Sequence, residues 1–105
     1  MINIYLPISG SDYRSVLKIV PSSHNWSDTD VIPTFEYDRG KSYNKDGIAF
    51  STPTISECKR EVLIHKPDVA EGDFMLFSPL LIHGGGENGG SLTRFSLEIR
   101  LKLSD

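Results

Sequence analysis

The chain has 105 residues, 38% hydrophobic and 24% charged, with a formal net charge of −3, which is the composition of one soluble globular domain and leaves no second core. Acidic and basic residues are interspersed, so no basic face offers itself to a phosphate backbone, and no apolar run is long enough to span a bilayer; nucleic acid and membrane are excluded as partners. The single cysteine, Cys58, has no internal partner for a disulfide, and the N-terminus has no export pattern, so a cytoplasmic location is expected.

Ile2, Ile4 and Leu6 alternate with Asn3 and Tyr5, the period of a half-buried strand, and Pro7 to Tyr13 then brings turn chemistry. Val16 to Val20 is a second apolar run, closed by Pro21, Ser22 and Ser23. The stretch from about residue 24 to residue 47 has little periodicity and is read as a long loop, of a length that compact domains seldom carry without a use. Ile48 to Ser51, Arg60 to Lys66, Asp73 to Phe77 and Leu80 to His83 read as four short strands between Pro- and Gly-containing turns. In the last strand, Arg94 to Leu103, the residues Phe95, Leu97, Ile99, Leu101 and Leu103 share one face, and Arg94, Ser96, Glu98, Arg100 and Lys102 share the other. No segment carries an apolar stripe over three helical turns. The expected architecture is all-β, a single jelly-roll domain over 1–105 whose two sheets bury their apolar faces against each other.

His83 stands at a strand end before Gly84, Gly85 and Gly86, where a ligand can approach closely. Taken alone it is first a strand-terminal histidine beside a glycine-rich loop, and second a metal ligand. Arg94 is equally an exposed strand residue paired with Glu98 or, with Ser96 on the same face, a fork for a carboxylate. The three glycines fit no common phosphate-binding fingerprint, and no helix follows them. Cys58, between Glu57 and Lys59, has cations nearby but no histidine partner, which argues against a catalytic thiol.

Gly72-Asp73, Leu76-Phe77, Pro79-Leu80, His83-Gly84, Asn88 and then Arg94 with Ser96 together resemble the C-terminal signature of the phytanoyl-CoA dioxygenase family. Upstream, Leu17 to His24, ending Pro21-Ser22-Ser23-His24, is similar to that family's apolar strand ending in Pro-Gly-Ser-His. The resemblance implies a double-stranded β-helix, a cupin-like jelly roll that uses Fe(II) and 2-oxoglutarate to hydroxylate a small molecule. It is nearest to members tied to carbohydrate biosynthesis. By position, His83 would be the distal iron ligand and Arg94, helped by Ser96, would hold the far carboxylate of 2-oxoglutarate. Asn3 and Tyr5 either line that pocket or form an outer polar strand face.

The family's His-x-Asp or His-x-Glu iron motif has no counterpart here. His24 is followed by Asn25 and Trp26, His65 by Lys66 and Pro67, and His83 by two glycines. A facial triad needs three ligands, so the expectation is an incomplete jelly roll lacking the first strands and N-terminal helices. Such a chain has no catalytic residues of its own, and its oxygenase function is truncated or reduced. The uncovered strand edges of a shortened jelly roll also predict a homo-oligomer. Trp26 and Arg39 in the long loop are candidates for holding a sugar ring or an anionic substrate. The competing expectation is a non-catalytic jelly-roll module that binds a sugar or small acid, or serves as an assembly unit.

Overall fold

The structure, a computed structural model, describes residues 1–35, 43–50, 54–85 and 88–102. Among these residues there is no α-helix. Nine strands and two short 3-10 turns, Ser23–Asn25 and Asp28–Asp30, make up the regular structure. No helix among the described residues is long and apolar enough to cross a membrane. The chain divides into two compact units, Met1–Asn25 with Leu63–Asp105, and Trp26–Val62.

The first unit is built on a three-stranded antiparallel sheet in the order β7, β1, β9, where β1 is Ile2–Ser9, β7 is Met75–Phe77 and β9 is Phe95–Leu101. The expected first strand is therefore longer than its apolar alternation, running through Pro7, with a register shift between Pro7 and Ser9. A proline is tolerated next to such an irregularity because the ladder there does not need its missing N–H. Gly10 follows with φ +72°, and a Cβ at this position would collide with the Thr93 carbonyl. The absence of a side chain thus lets the end of β1 lie against the residue before Arg94.

The alternation in β1 is real, but its buried side is the polar one. Asn3 and Tyr5 are 1% and 2% exposed, whereas Ile2, Ile4 and Leu6 are half-buried. The outer-face alternative for Asn3 and Tyr5 is thereby excluded. In register, Tyr5 lies opposite Met75 and Glu98, and Asn3 opposite Phe77 and Arg100. The other face carries Ile4 between Leu76 and Ile99, Leu6 beside Leu97, and Ile2 beside Leu101. Leu76, Leu97, Ile99 and Leu101 are between 41% and 53% exposed. The expectation that the apolar faces meet between two sheets fails at this sheet: its apolar face is open, and its mixed face is covered by Leu17, Leu81 and Ile19 around Tyr5 and Phe77.

A two-stranded ladder joins β2, Lys18–Ile19, to β8, His83–Gly84, with Ile19 opposite His83 and Lys18 opposite Gly84. β2 lies within the expected run from Val16 to Val20, whereas β8 shares only His83 with the expected strand from Leu80 to His83. The expected strand from Arg60 to Lys66 reduces to one antiparallel bridge, His65 to Ile19, because Val62, Leu63 and Ile64 are exposed and gain nothing from a second strand. Ser23 is buried, and its hydroxyl accepts the Ile82 amide at 2.8 Å. Ser23 thus anchors this turn, and His24 beside it is exposed.

In the second unit, β3 (Val31–Pro33) pairs with β6 (Ile55–Cys58), and β4 (Tyr43–Lys45) with β5 (Ile48–Phe50). Asp46 at φ 54° and Gly47 at φ 79° form the two-residue turn of the latter hairpin, the backbone that Asp-Gly favours between twisted strands. The stretch read from sequence as one long loop thus contains a 3-10 turn and two strands before Gly47. The Asp28–Asp30 turn opens with a reciprocal cap: Ser27 accepts from Thr29, and Asp30 accepts from the Ser27 amide.

Candidate functional site

The buried, mixed face of the three-stranded sheet brings most of the candidate residues together. Arg94 precedes β9 and turns back toward β1. Its Nη1 donates to the Ser15 carbonyl at 2.8 Å and reaches the Tyr5 hydroxyl at 3.5 Å. Its Nε and Nη2 make no hydrogen bond among the described residues, so one edge of the guanidinium is fixed and the other is open. A Cβ added to Gly85 would stand 3.2 Å from Arg94 Nη2; glycine there leaves room beside the open edge. A planar fork anchored on one side is suited to a carboxylate.

Asn3, two residues from Tyr5 on the same face of β1, accepts from Arg100 Nε at 3.3 Å. Its amide Nδ2 is buried and has no partner among the described residues. An unpaired buried donor costs about 1–3 kcal/mol, and an acceptor oxygen arriving in the pocket would remove that cost. The Ser96 hydroxyl, on a half-buried residue opposite Pro7, makes no hydrogen bond to Arg94.

His83 is held from three sides. Its Nδ1 lies 2.7 Å from the Leu81 carbonyl, its Nε2 lies 3.2 Å from Glu98 Oε1, and the Phe77 ring meets it edge-on with centroids 4.7 Å apart. The partner of Glu98 is therefore His83, and the alternative pairing of Arg94 with Glu98 does not form. Strand alternation carried too little information to find this contact, since β8 and β9 lie in different sheets. Lys18, Arg100 and the Ser15 carbonyl were also missed, each because its role depends on register.

Two donors, His83 Nε2 and Glu98, are adjacent. Among the described residues no group of three His, Cys, Asp or Glu side chains could hold a metal ion. The described residues thus fit a carboxylate-bearing acid at Arg94 and do not by themselves fit the three-ligand iron site that the resemblance implies. Trp26 lies in the second unit, under the Arg60 guanidinium at 5.0 Å from the ring centroid, and Arg60 is also 3.7 Å from Asp30. Arg39, the other substrate candidate, lies outside the described residues.

Beside the site, Asp12 organises the turn that leads to Ser15. Its carboxylate accepts from the Arg14 amide at 2.8 Å and pairs with the Arg14 guanidinium at 3.0 Å. The side-chain hydrogen bond from Arg14, seconded by its backbone N–H, holds the Asp12 carboxyl below its ordinary value. Ser15 and Val16 both donate to the Asp12 carbonyl, so this turn sets the carbonyl that Arg94 grips.

Among comparisons with known proteins, the family model described as Phytanoyl-CoA dioxygenase (PhyH) matches residues 16–96, which is most of the chain and includes Ser23, His83, Arg94 and Ser96. No curated protein and no solved structure gives a match.

Proposed function

The chain belongs to the phytanoyl-CoA dioxygenase family, and from that premise we propose that it is a reduced 2-oxoglutarate/Fe(II)-dependent oxygenase whose pocket binds the 2-oxoacid without completing the iron centre. The observation that carries this reading is the half-anchored guanidinium of Arg94, with its Nη1 on the Ser15 carbonyl and its other edge open beside Gly85. Arg94 receives the far carboxylate of 2-oxoglutarate. The Tyr5 hydroxyl and the unpaired Asn3 amide are donors for its remaining oxygens, and Ser96 borders the same face. His83 is the one histidine at the iron position, and its Nε2 is turned to Glu98. A second set of ligands has to come from elsewhere for hydroxylation to occur. The fold that goes with this reading is a double-stranded β-helix. The primary substrate is a small, carbohydrate-related molecule, with Trp26 and Arg39 as the candidates for holding it, and the chain works as a homo-oligomer.

Calorimetric titration of the metal-free protein with 2-oxoglutarate tests the reading. Saturable binding is expected, weakened at least tenfold by Arg94→Ala; no heat up to millimolar ligand, or an unchanged affinity in the variant, overturns it. Anaerobic addition of Fe(II) with 2-oxoglutarate should give no visible charge-transfer band. A clear band would show a complete centre and refute the reduced state.

The contact of His83 Nε2 with Glu98 favours one alternative, a non-catalytic module that binds a small acid. Equal affinities for glutarate and 2-oxoglutarate would point to that module, because the Asn3 amide and the Tyr5 hydroxyl would then take no 2-oxo oxygen. A preference for the 2-oxoacid points to the oxygenase ancestry of the pocket.

A further inference from the structure

The β2–β8 ladder has a second face that the carboxylate pocket does not use. Ile19 and His83 are opposite one another, and His83 points toward Phe77 and Glu98. Side chains alternate along a strand, so the neighbouring pair, Lys18 and Gly84, faces the other way. On the free edge of β2, Ile19 and His65 exchange two backbone hydrogen bonds, of 2.9 and 2.8 Å. This antiparallel register sets Lys66 beside Lys18. Lys18, Lys66, Arg14 and Gly89 line one cleft of about 380 Å³.

Among the described residues the cations of this cleft outnumber their ionic partners. Arg14 is matched by Asp12 at 3.0 Å. Lys18 Nζ donates to a neutral acceptor, the Gly85 carbonyl, at 3.0 Å, and neither lysine forms an ion pair among the described residues. Like charges placed across neighbouring strands repel. Here they do so in a chain of net charge −3, and among the described residues no ion pair offsets the two lysines. Gly84 stands next in the same row, and a Cβ there would meet nothing within 4 Å. Lys18 is half-buried, which reduces the solvent screening of its charge.

We propose that this cleft is an oxyanion site, separate from the Arg94 pocket, which takes a phosphate- or carboxylate-bearing small molecule through Lys18, Lys66 and Arg14. The bound anion lies between the two lysines and relieves their repulsion. The Arg14 guanidinium, held in place by Asp12, closes one side.

The full chain, titrated with inorganic phosphate against chloride at matched ionic strength and followed by thermal melting and amide chemical shifts, tests the site. Phosphate should raise the melting temperature saturably and shift the Lys66 and Gly89 amides, with chloride doing neither. In Lys66→Gln, the anion-free melting temperature should be equal or higher, since a repulsion is removed, while phosphate affinity falls at least tenfold. Arg94→Ala should keep the wild-type phosphate response. The carboxylate arm uses succinate in the Arg94→Ala background, so that binding in the other pocket cannot contribute. Phosphate binding alone identifies a phosphate-bearing ligand, and succinate binding alone a carboxylate-bearing one. A response equal to that of chloride, a response retained in Lys66→Gln, or silence toward both anions overturns the proposal.

Discussion

Ser22 has φ 66°, in the left-handed region where a β-carbon crowds the backbone, and it occupies the place of glycine in the family's Pro-Gly-Ser-His pattern. The turn keeps the backbone of the ancestral residue with a side chain that does not suit it. Ser22→Gly is expected to stabilise the protein by about 0.5–1 kcal/mol, the steric relief being partly offset by glycine's greater unfolded-state freedom. A denaturant melt showing lower stability would mean that the Ser22 side chain contributes something its exposure does not suggest. Asp12 gives a second residue-level prediction. Because its carboxyl is held below its ordinary value by Arg14, the contribution of the pair is present above the ordinary carboxylate range and is lost as pH falls through the lowered value. In a carbon-detected NMR titration, Arg14→Gln should move the Asp12 midpoint upward; an unmoved midpoint would assign the shift to another cause. At this scale the sequence showed which residue types matter and hid their contacts. Alternation put Asn3 and Tyr5 on one face without saying that this face is buried, and Glu98 was an alternative partner of Arg94 because both lie on one face of the same strand, whereas it lies against His83.

Among the elements, β1 and β9 were readable because each is long enough for alternation to show. The two-residue strands β2 and β8 were not, since their pairing depends on contacts distant in sequence. The Asp46-Gly47 turn carried its own signal in the dipeptide and was passed over inside a polar stretch. Beside its ladder to β2, β8 is fixed by one hydroxyl: Ser23 accepts the Ile82 amide across 59 residues of sequence. Ser23→Ala leaves that amide without its acceptor and should cost about 1–3 kcal/mol. Hydrogen exchange at Ile82 should accelerate in step with the global loss or beyond it. Unchanged protection at Ile82 would show that β8 is held by its ladder to β2 alone.

For the whole molecule, the many short runs and the lack of an apolar helical stripe pointed to a β-rich chain, and the family match agrees with the two motifs. Which side of the main sheet is covered was not legible, because apolar alternation identifies a face without saying what lies against it. Leu76, Leu97, Ile99 and Leu101 lie on one open face around Ile4, a contiguous apolar surface of the kind that marks an association site. This face supports the proposed homo-oligomer, and Ile99→Lys should shift the mass measured by analytical ultracentrifugation from oligomer toward monomer at micromolar concentration. A monomeric wild-type protein under the same conditions would remove the oligomer.

Gly10, with its φ of +72° and the Thr93 carbonyl where a Cβ would go, ties the chemistry of position 94 to a residue that never touches a ligand. In a saturation library selected for acid binding, position 10 should therefore behave as though it belonged to the pocket, rejecting even alanine. A relative that carries a side chain there would need a compensating change in the 93–94 backbone, so the two positions would be inherited as one unit.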